Sequence, residues 1–226
     1  MTDPAAGLPA FPLGATVPSG ARALVLTISD GVSNGSRQDE SGVALGDRLA
    51  MAGFRVDRQT VADDRDEIGR ALVTGAADHG FVISTGGTGL TPRDVTPQAT
   101  LAVVEYEVPG LAEAMRAAGR ARTPMADLSR GVVGVIGRSL IVNVPGSPRA
   151  ALESLVAIEA ALPHALETLA GPFDHDAGEP AEGPLASVPE SPLPIPLPPP
   201  SAAGSVDPAP DSNDPWRDLP RTEDRT

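Results

Sequence analysis

Residues 81–100 have the sequence FVISTGGTGLTPRDVTPQAT, the most informative stretch of the chain for its fold. It begins with a short apolar run, continues through three glycines within four positions, and ends in Thr-Pro followed by a helix-like pattern. A short apolar run bounded by glycines is typical of a buried strand, and Thr-Pro is typical of a helix start. The stretch therefore predicts a strand, a loop and a helix in succession, which is the repeating unit of an α/β sheet.

The same alternation extends in both directions along the chain. ARALVLTIS and GFVIST predict strands buried on both faces, FRVDRQTV predicts a strand with one wet face, and GVVGVIGRSLIVNV predicts two short strands around a turn. Because helical patterns separate the strands, we predict an α/β fold of three layers, with a mostly parallel open sheet and helices on both faces. In such sheets, ligands bind beyond the carboxyl ends of the strands.

Helix boundaries are predicted from capping signals. Asp64 is expected to cap a helix, because Glu67 follows three residues later in a capping-box spacing. Thr96 is expected to cap the helix behind the glycine loop, and Pro109-Gly110 is expected to interrupt that helix. The last helix is expected to begin at Ser147-Pro148.

Composition excludes several classes of function. The 226 residues carry a net charge of -13, and all 17 basic residues are arginine. The acidity argues against a nucleic-acid partner, and the absence of lysine excludes a P-loop, whose lysine contacts nucleotide phosphates. Cysteine is absent and the histidines lie far apart, which disfavours disulfides and a structural zinc site. With no signal-peptide pattern and no apolar run of membrane length, we expect a cytoplasmic protein without a membrane partner.

Composition also predicts three segments along the chain. Residues 1–20 are expected to form a flexible lead-in, residues 21–170 a single folded domain, and residues 171–226 a disordered acidic tail. The tail is rich in proline and carboxylates, so it cannot bury enough apolar surface to offset its chain entropy. Trp216, the only tryptophan, is either part of a short docking motif or simply the solvated end of a linker.

Three predicted strand ends carry polar, glycine-containing loops, with the sequences ISDGVSNGSRQDESG, STGGTG and NVPGSP. Backbone N–H groups in such loops, and the helix starts behind them, favour anions. A ligand with several phosphates could therefore lie across all three ends. In the glycine loop, Thr85 and Thr88 would add hydroxyl donors, although the glycine pattern alone is equally typical of a tight turn.

Two aspartates are candidates for metal binding. Asp94 stands behind the glycine loop, where a carboxylate would either hold Mg²⁺ or act as a second capping group. Asp63 follows the strand RQTV, and it is left free there because Asp64 is better placed as the cap. Arg93 would supply charge near phosphates or serve only as a surface charge. From the residues alone, the chain is predicted to be an Mg²⁺-dependent enzyme that acts on a phosphate-bearing ligand.

Six motifs, in order and spacing, make the chain resemble the MogA/MoaB family of molybdenum-cofactor biosynthesis proteins: TISDGVSNGSRQDESG, VADD, STGGTGLTPRDVTPQAT, PGL, LSRGVVG and SLIVNVPGSP. The resemblance is closest to the MogA type and to the G domain of gephyrin, and it covers residues 20–170. GGTG alone would be a weak signal, but GGTG-x-T-P-R-D-V-T-P followed by NVPGSP is specific.

The resemblance implies a molybdopterin-binding fold, a homotrimer, and Mg²⁺-dependent transfer of AMP from ATP to the terminal phosphate of molybdopterin, with release of pyrophosphate. A molybdenum-insertion enzyme is the implied downstream partner. By motif, it implies catalytic roles for Asp63, Asp94 and Ser129, with the two aspartates as metal ligands. The implied molybdopterin contacts are Ser29, Asp30, Asp39, Asn143, Pro145, Gly146 and Ser147. The implied nucleotide contacts are Thr85, Gly86, Gly87, Thr88 and Gly89.

The chain departs from the family pattern at Ala62, where relatives have proline, and at Gly31, where a larger residue is common. Neither change removes a carboxylate. An alternative is a non-catalytic, MoaB-like protein that binds molybdopterin or serves as a scaffold, but such a protein would not need both Asp63 and Asp94. A third possibility, a hydrolase of the competence-damage type, would require an additional domain that the proline-rich tail cannot form.

Overall fold

The computed structural model of the protein describes residues 7–8 and 17–171, which hold six strands and seven helices. The predicted tail beyond residue 171, including Trp216, and most of the predicted lead-in lie outside the described residues. The strands are β1 (Arg22–Ile28), β2 (Arg55–Val61), β3 (Phe81–Thr85), β4 (Tyr106–Glu107), β5 (Val133–Ile136) and β6 (Ser139–Val144). The helices are α1 (Asp30–Ser33), α2 (Glu40–Met51), α3 (Arg65–Asp78), α4 (Thr96–Leu101), α5 (Pro109–Arg120), α6 (Pro148–Ile158) and α7 (Leu162–Ala170), with a 3-10 helix at Pro124–Leu128. None of the helices in these ranges has the length and apolar character needed to cross a bilayer.

The strands form one sheet in the order β2-β1-β3-β6-β5-β4. Strands β2, β1, β3 and β6 run parallel, whereas β5 is antiparallel to β6 and β4 is antiparallel to β5. In register, Thr85 of β3 lies opposite Thr27 of β1 and Val144 of β6. The carboxyl ends of the four parallel strands therefore meet at one edge of the sheet, and the predicted mostly parallel fold is confirmed.

Two apolar clusters, one on each face of the sheet, give the fold its three layers. Ala23 and Val25 of β1 pack on the face covered by α2, α5, α6 and α7. Leu24 and Leu26 of the same strand pack on the opposite face, which α3 and α4 cover. Because successive side chains of a strand point to opposite faces, a strand buried on both sides is apolar at most positions. This explains the continuous apolar run of β1.

The predicted cap of α3 is confirmed, but two other predicted helix boundaries are wrong. The Asp64 carboxylate accepts hydrogen bonds from the backbone N–H groups of Asp66 and Glu67 at 3.1 and 2.9 Å. Thr96 is the first residue of α4 and not its cap, because its hydroxyl donates to the Gly86 carbonyl at 2.8 Å. Pro109-Gly110 begins α5 and does not interrupt α4, because β4 pairs with β5 between the two helices.

Candidate active site

Four loops follow the carboxyl ends of the parallel strands and form the candidate site. The loops after β1, β2, β3 and β6 begin at Ser29, Ala62, Gly86 and Pro145. The loop after β3, residues 86–95, is called the glycine loop below. It packs directly on the loop after β6, since a Cβ added at Gly146 would lie 3.3 Å from the Gly86 Cα atom. The strand order therefore brings together loops that are far apart in the sequence.

Two clefts open at this edge, and the first is called the apolar cleft. It has a volume of about 450 Å³, and its wall combines the glycine loop with side chains from α5, α6 and the 3-10 helix. Its lining is Gly87, Thr88, Gly89, Asp94, Ala112, Met115, Arg116, Gly119, Thr123, Met125, Ala126, Leu128, Ser129, Gly131, Asn143, Pro145, Gly146, Ala150, Glu153 and Ser154. Methionine and alanine side chains beside the carboxylate of Asp94 suit a ligand with an apolar ring and a charged group.

The second, called the polar cleft, has a volume of about 440 Å³. Its lining is Thr27, Ile28, Ser29, Val32, Arg37, Gln38, Asp39, Glu40, Ser41, Asp63, Thr85, Gly86, Gly87, Gly146 and Pro148. Gly87 and Gly146 line both clefts. The two clefts therefore meet at the glycine loop.

The first two glycines of this loop have backbone angles and neighbours that exclude a side chain. Gly86 has φ +106°, and a Cβ there would lie 2.2 Å from the carbonyl oxygen of Ile28. Gly87 has φ +61°, and a Cβ there would lie 2.4 Å from the Thr96 hydroxyl. In the part of the chain that the structure describes, the N–H groups of Gly87 and Thr88 donate to no protein acceptor. The loop therefore offers unused backbone donors where the two clefts meet, as an anion site requires.

Arg130 fixes the conformation of the glycine loop. Its Nε donates to the Gly89 carbonyl at 2.7 Å, and its Nη2 donates to the Asp94 carbonyl at 2.6 Å. Its backbone N–H donates to the Thr88 carbonyl at 3.0 Å. A single residue thus holds three carbonyl groups of the loop, two of them through charge-assisted hydrogen bonds.

Asp94 presents an ionised carboxylate to the apolar cleft. Its Oδ2 accepts hydrogen bonds from the backbone N–H of Thr91 at 2.8 Å and from the Thr91 hydroxyl at 2.6 Å. Burial raises the pKa of Asp94, but the bonds from Thr91 and Gly89 and the charge of Arg130 outweigh it, so the pKa lies below its ordinary value. The carboxylate is therefore charged at neutral pH.

Asp63 and Asp30 hold each other's backbone across the ends of β2 and β1. Oδ2 of Asp63 accepts from the Asp30 N–H at 2.9 Å, and Oδ1 of Asp30 accepts from the Asp63 N–H at 3.0 Å. The Arg93 side chain donates to Oδ2 of Asp30. The backbone hydrogen bond from Asp63, followed by that from Arg93, holds the pKa of Asp30 below its ordinary value. Arg93 thus joins the glycine loop to α1.

Several residues predicted to contact substrate also hold the strand ends together. Both amide hydrogens of the buried Asn143 are engaged, with the hydroxyls of Ser84 and Thr100 at 2.9 Å each. The hydroxyl of Thr85 donates to the Pro145 carbonyl at 2.8 Å. These bonds tie β6 and its loop to β3 and α4, so the positions of both loops depend on them.

The loop after β1 is shaped by two caps. Asp39 caps α2 by accepting from the Gly42 N–H at 2.8 Å, and its other oxygen accepts from the Thr27 hydroxyl at 2.9 Å. Ser29 caps α1, accepting from the Val32 N–H at 3.3 Å. Both predicted substrate contacts therefore also position the wall of the polar cleft.

The predicted site residues divide between the two clefts. Ser129 and Asn143 lie in the apolar cleft, whereas Ser29 and Asp39 lie in the polar cleft. Asp30 and Ser147 line neither cleft. Ser129 accepts a long hydrogen bond from the Gly131 N–H at 3.4 Å, which leaves its hydroxyl hydrogen available to a ligand.

The two predicted metal ligands border the glycine loop from different clefts, Asp94 from the apolar cleft and Asp63 from the polar cleft. Oδ1 of Asp63 lies 3.4 Å from the position of a Cβ on Gly87, so it faces the loop. Among the described residues, no three histidine, cysteine or acidic side chains cluster as a self-sufficient metal site. Mg²⁺ is usually bound by one or two carboxylates together with substrate phosphates. Carboxylates beside a loop with unused backbone donors fit that pattern.

A family model described as "Probable molybdopterin binding domain" matches residues 24–164, which include every residue that lines the two clefts. The chain belongs to the MogA/MoaB family. The resemblance seen in the sequence motifs is therefore confirmed. All lining residues of both clefts belong to this MogA/MoaB domain.

Curated relatives of this MogA/MoaB domain include the molybdopterin adenylyltransferase of Helicobacter pylori strain J99. That relative is 36% identical over 154 residues, which cover 66% of this chain and 88% of the relative. The molybdopterin adenylyltransferase of Escherichia coli K12 is 35% identical over 173 residues, covering 69% of this chain and 88% of the relative.

Solved structures show the same similarity. The molybdopterin biosynthesis enzyme MoaB of Thermus thermophilus has a TM-score of 0.61 and 47% identity, covering 66% of this chain and 96% of that one. The molybdopterin biosynthesis Mog protein of Mycobacterium ulcerans has a TM-score of 0.64 and 38% identity, covering 66% and 99%.

Sequence reasoning missed two residues of the MogA/MoaB site, Arg130 and Arg116. Arg130 stands within the LSRGVVG motif, but its side-chain acceptors lie 36 and 41 residues earlier in the chain. Arg116 lies on α5, where it follows the ordinary amphipathic pattern of a surface helix. No local signal distinguishes either arginine from a solvated charge.

Proposed function

We propose that the protein is a molybdopterin adenylyltransferase that transfers AMP from ATP to the terminal phosphate of molybdopterin and releases pyrophosphate, with Mg²⁺ as cofactor. The observation that carries the proposal is the meeting of two clefts at the glycine loop, with Gly87 and Gly146 lining both. A transfer between two phosphate-bearing substrates requires two adjacent binding sites and one shared point where the phosphates meet. The names of the curated relatives support the same activity.

The chemistry requires positioning more than proton transfer. An oxygen of the molybdopterin phosphate forms a new bond to the α-phosphorus of ATP, and the bond from that phosphorus to the bridging oxygen breaks. Pyrophosphate leaves with the bonding electron pair. Since the attacking phosphate is already an anion at neutral pH, no general base is needed, in accord with clefts whose lining contains no histidine.

The residues of the chain would orient the reacting groups. The unused N–H groups of Gly87 and Thr88 would bind phosphate oxygens where the clefts meet. The Ser129 hydroxyl would donate to a substrate oxygen in the apolar cleft. Arg130 would keep the glycine loop in the conformation that aims these donors.

Asp94 and Asp63 would hold Mg²⁺ together with the substrate phosphates. The ion would supply positive charge that offsets the negative charge on the phosphate oxygens and the leaving pyrophosphate. Asp94 is suited to this task because its pKa lies below the ordinary value, so it is ionised at neutral pH. We further propose that residues 21–170 carry the activity, that the protein acts as a homotrimer, and that it delivers its product to a molybdenum-insertion enzyme.

Product analysis with an aspartate variant tests the proposed function. The purified protein is mixed with molybdopterin, ATP and Mg²⁺, and adenylyl-molybdopterin is measured for wild type and Asp94→Asn. We expect product with wild type and none with the variant, while molybdopterin binding is retained. Asp47→Asn, an exposed change on α2, is the matched control and should behave as wild type. Molybdopterin binding without product from wild type would refute the proposal and favour a non-catalytic binding protein.

A further inference from the structure

Arg116 is the one cationic residue that lines the apolar cleft among the described residues. It lies on α5 and is half-buried. Its Nη1 donates to the Gly131 carbonyl at 3.3 Å, which is a long hydrogen bond, and it forms no ion pair within residues 7–8 and 17–171. A guanidinium group has five N–H donors, so most of its hydrogen-bonding capacity is unused by the protein.

Neighbouring arginines differ from Arg116 in having carboxylate partners. Arg120, one turn later on α5, is paired with Asp127 at 2.7 Å. Arg122 and Arg149 both face Glu153, at 3.7 and 3.0 Å. Glu153 also lines the apolar cleft, but its negative charge is already compensated by these two other arginines.

The charge of Arg116 is therefore left for a ligand. Arg116 is half-buried at the wall of the cleft, so its guanidinium remains accessible to an anion that binds there. The position suits the reaction, because Gly131, the acceptor of the Arg116 hydrogen bond, also donates its N–H to the Ser129 hydroxyl. The planar guanidinium can bind two oxygens of one phosphate at once.

We propose that Arg116 binds a phosphate group of a substrate in the apolar cleft. The proposal rests on the proposed function for the identity of that phosphate, which belongs either to ATP or to molybdopterin. The same chemistry serves both sources, and binding measurements on the two ligands separate them. Arg116 is then a specificity-determining residue that favours phosphate-bearing ligands over their uncharged forms.

Isothermal titration calorimetry of ATP, adenosine and molybdopterin tests this role. Arg116→Gln should weaken binding of the phosphate-bearing ligand that Arg116 contacts by about ten- to a hundredfold. Binding of adenosine should not change, because adenosine has no phosphate. Arg116→Lys keeps the charge but lacks the planar guanidinium, so its loss of affinity should be smaller than that of Arg116→Gln. Arg120→Gln, on the same helix but outside the cleft, is the matched control and should bind every ligand as wild type does.

Each outcome decides the proposal. A loss for ATP alone assigns the nucleotide phosphates to Arg116, and a loss for molybdopterin alone assigns the pterin phosphate. Affinities within twofold of wild type for both ligands overturn the proposal. If Arg116→Gln does not fold, Arg116→Met, which also removes the charge, decides by the same comparison. If wild type makes no adenylyl-molybdopterin but Arg116→Gln still weakens ATP binding, the proposed function is wrong and the role of Arg116 is supported.

Discussion

Replacing Arg130 with methionine should loosen the glycine loop without unfolding the protein. The change removes the two side-chain hydrogen bonds to the carbonyls of Gly89 and Asp94, which measure 2.7 and 2.6 Å. A hydrogen bond from a charged donor contributes about 1.5–3 kcal/mol, and because Arg130 is half-buried we take about 1–2 kcal/mol for each. The loop would then lose about 2–4 kcal/mol of the free energy that fixes its conformation.

If that free energy serves to position the substrates, kcat/KM of Arg130→Met should fall by about thirtyfold to a thousandfold. The lysine of Arg130→Lys can reach only one carbonyl, so the kcat/KM of this variant should lie between those of wild type and Arg130→Met. Steady-state kinetics measure both, urea unfolding tests global stability, and hydrogen exchange at Thr91 reports the loop itself. Arg22→Met, at the opposite end of β1 from the site, is the control. A kcat/KM for Arg130→Met within threefold of wild type would refute the positioning role.

Three further changes have defined outcomes. Gly86→Ala should yield little soluble folded protein, because φ is +106° and the new Cβ would lie 2.2 Å from a backbone carbonyl oxygen. Gly137→Ala is the control: its φ is +58° and the space around it is open, so thermal unfolding should show a loss of only about 1 kcal/mol. Asp94 has a lowered pKa, so its stabilising effect is present above pH 3.8 and is lost as the pH falls through the lower folded-state pKa. The pH-dependent part of the difference in unfolding free energy between wild type and Asp94→Asn should therefore disappear in that acid range. Glu159→Gln should destabilise the protein by about 3–5 kcal/mol in urea, because it breaks the buried ion pair with Arg48 at 2.6 Å. Its kcat should not change, since neither residue lines a cleft, and a large loss of kcat would contradict that view.

The strands of the sheet could be predicted because the pattern that marks each strand lies in residues adjacent in the sequence. Strand β3 lies near its centre and is buried at all five positions, and its first three residues, Phe-Val-Ile, form the apolar run that such burial favours. The glycines that follow mark the strand end. The cap of α3 was also predictable, since Asp64 and the N–H groups that it binds lie within three residues.

The parts that could not be predicted depend on tertiary contacts. Thr96 has the sequence signature of a cap, yet its hydroxyl is taken by the Gly86 carbonyl, ten residues earlier. The two-residue strand β4 is too short to leave a pattern, and it exists because β5 offers an antiparallel partner. The reciprocal hydrogen bonds of Asp30 and Asp63 span 33 residues, so no spacing rule could reveal them.

The division into two clefts likewise follows from the fold and not from the motifs. In the sequence both aspartates are candidate metal ligands, Asp63 directly behind a strand and Asp94 behind the glycine loop. In the structure they border the same glycine loop from different clefts, and Gly87 lies in both. This arrangement places one carboxylate in each cleft, which is a property of strand order and could not be read from either aspartate alone.

The most direct test of the central claim follows the phosphorus atoms of ATP. The wild-type protein is incubated with molybdopterin, Mg²⁺ and ATP that carries a radioactive label on either its α- or its γ-phosphate. Adenylyl transfer predicts that the α-label moves into the pterin product, while the γ-label is recovered in pyrophosphate. Recovery of the γ-label on the pterin, or as free inorganic phosphate, would mean that a different bond is broken and would contradict the proposed reaction.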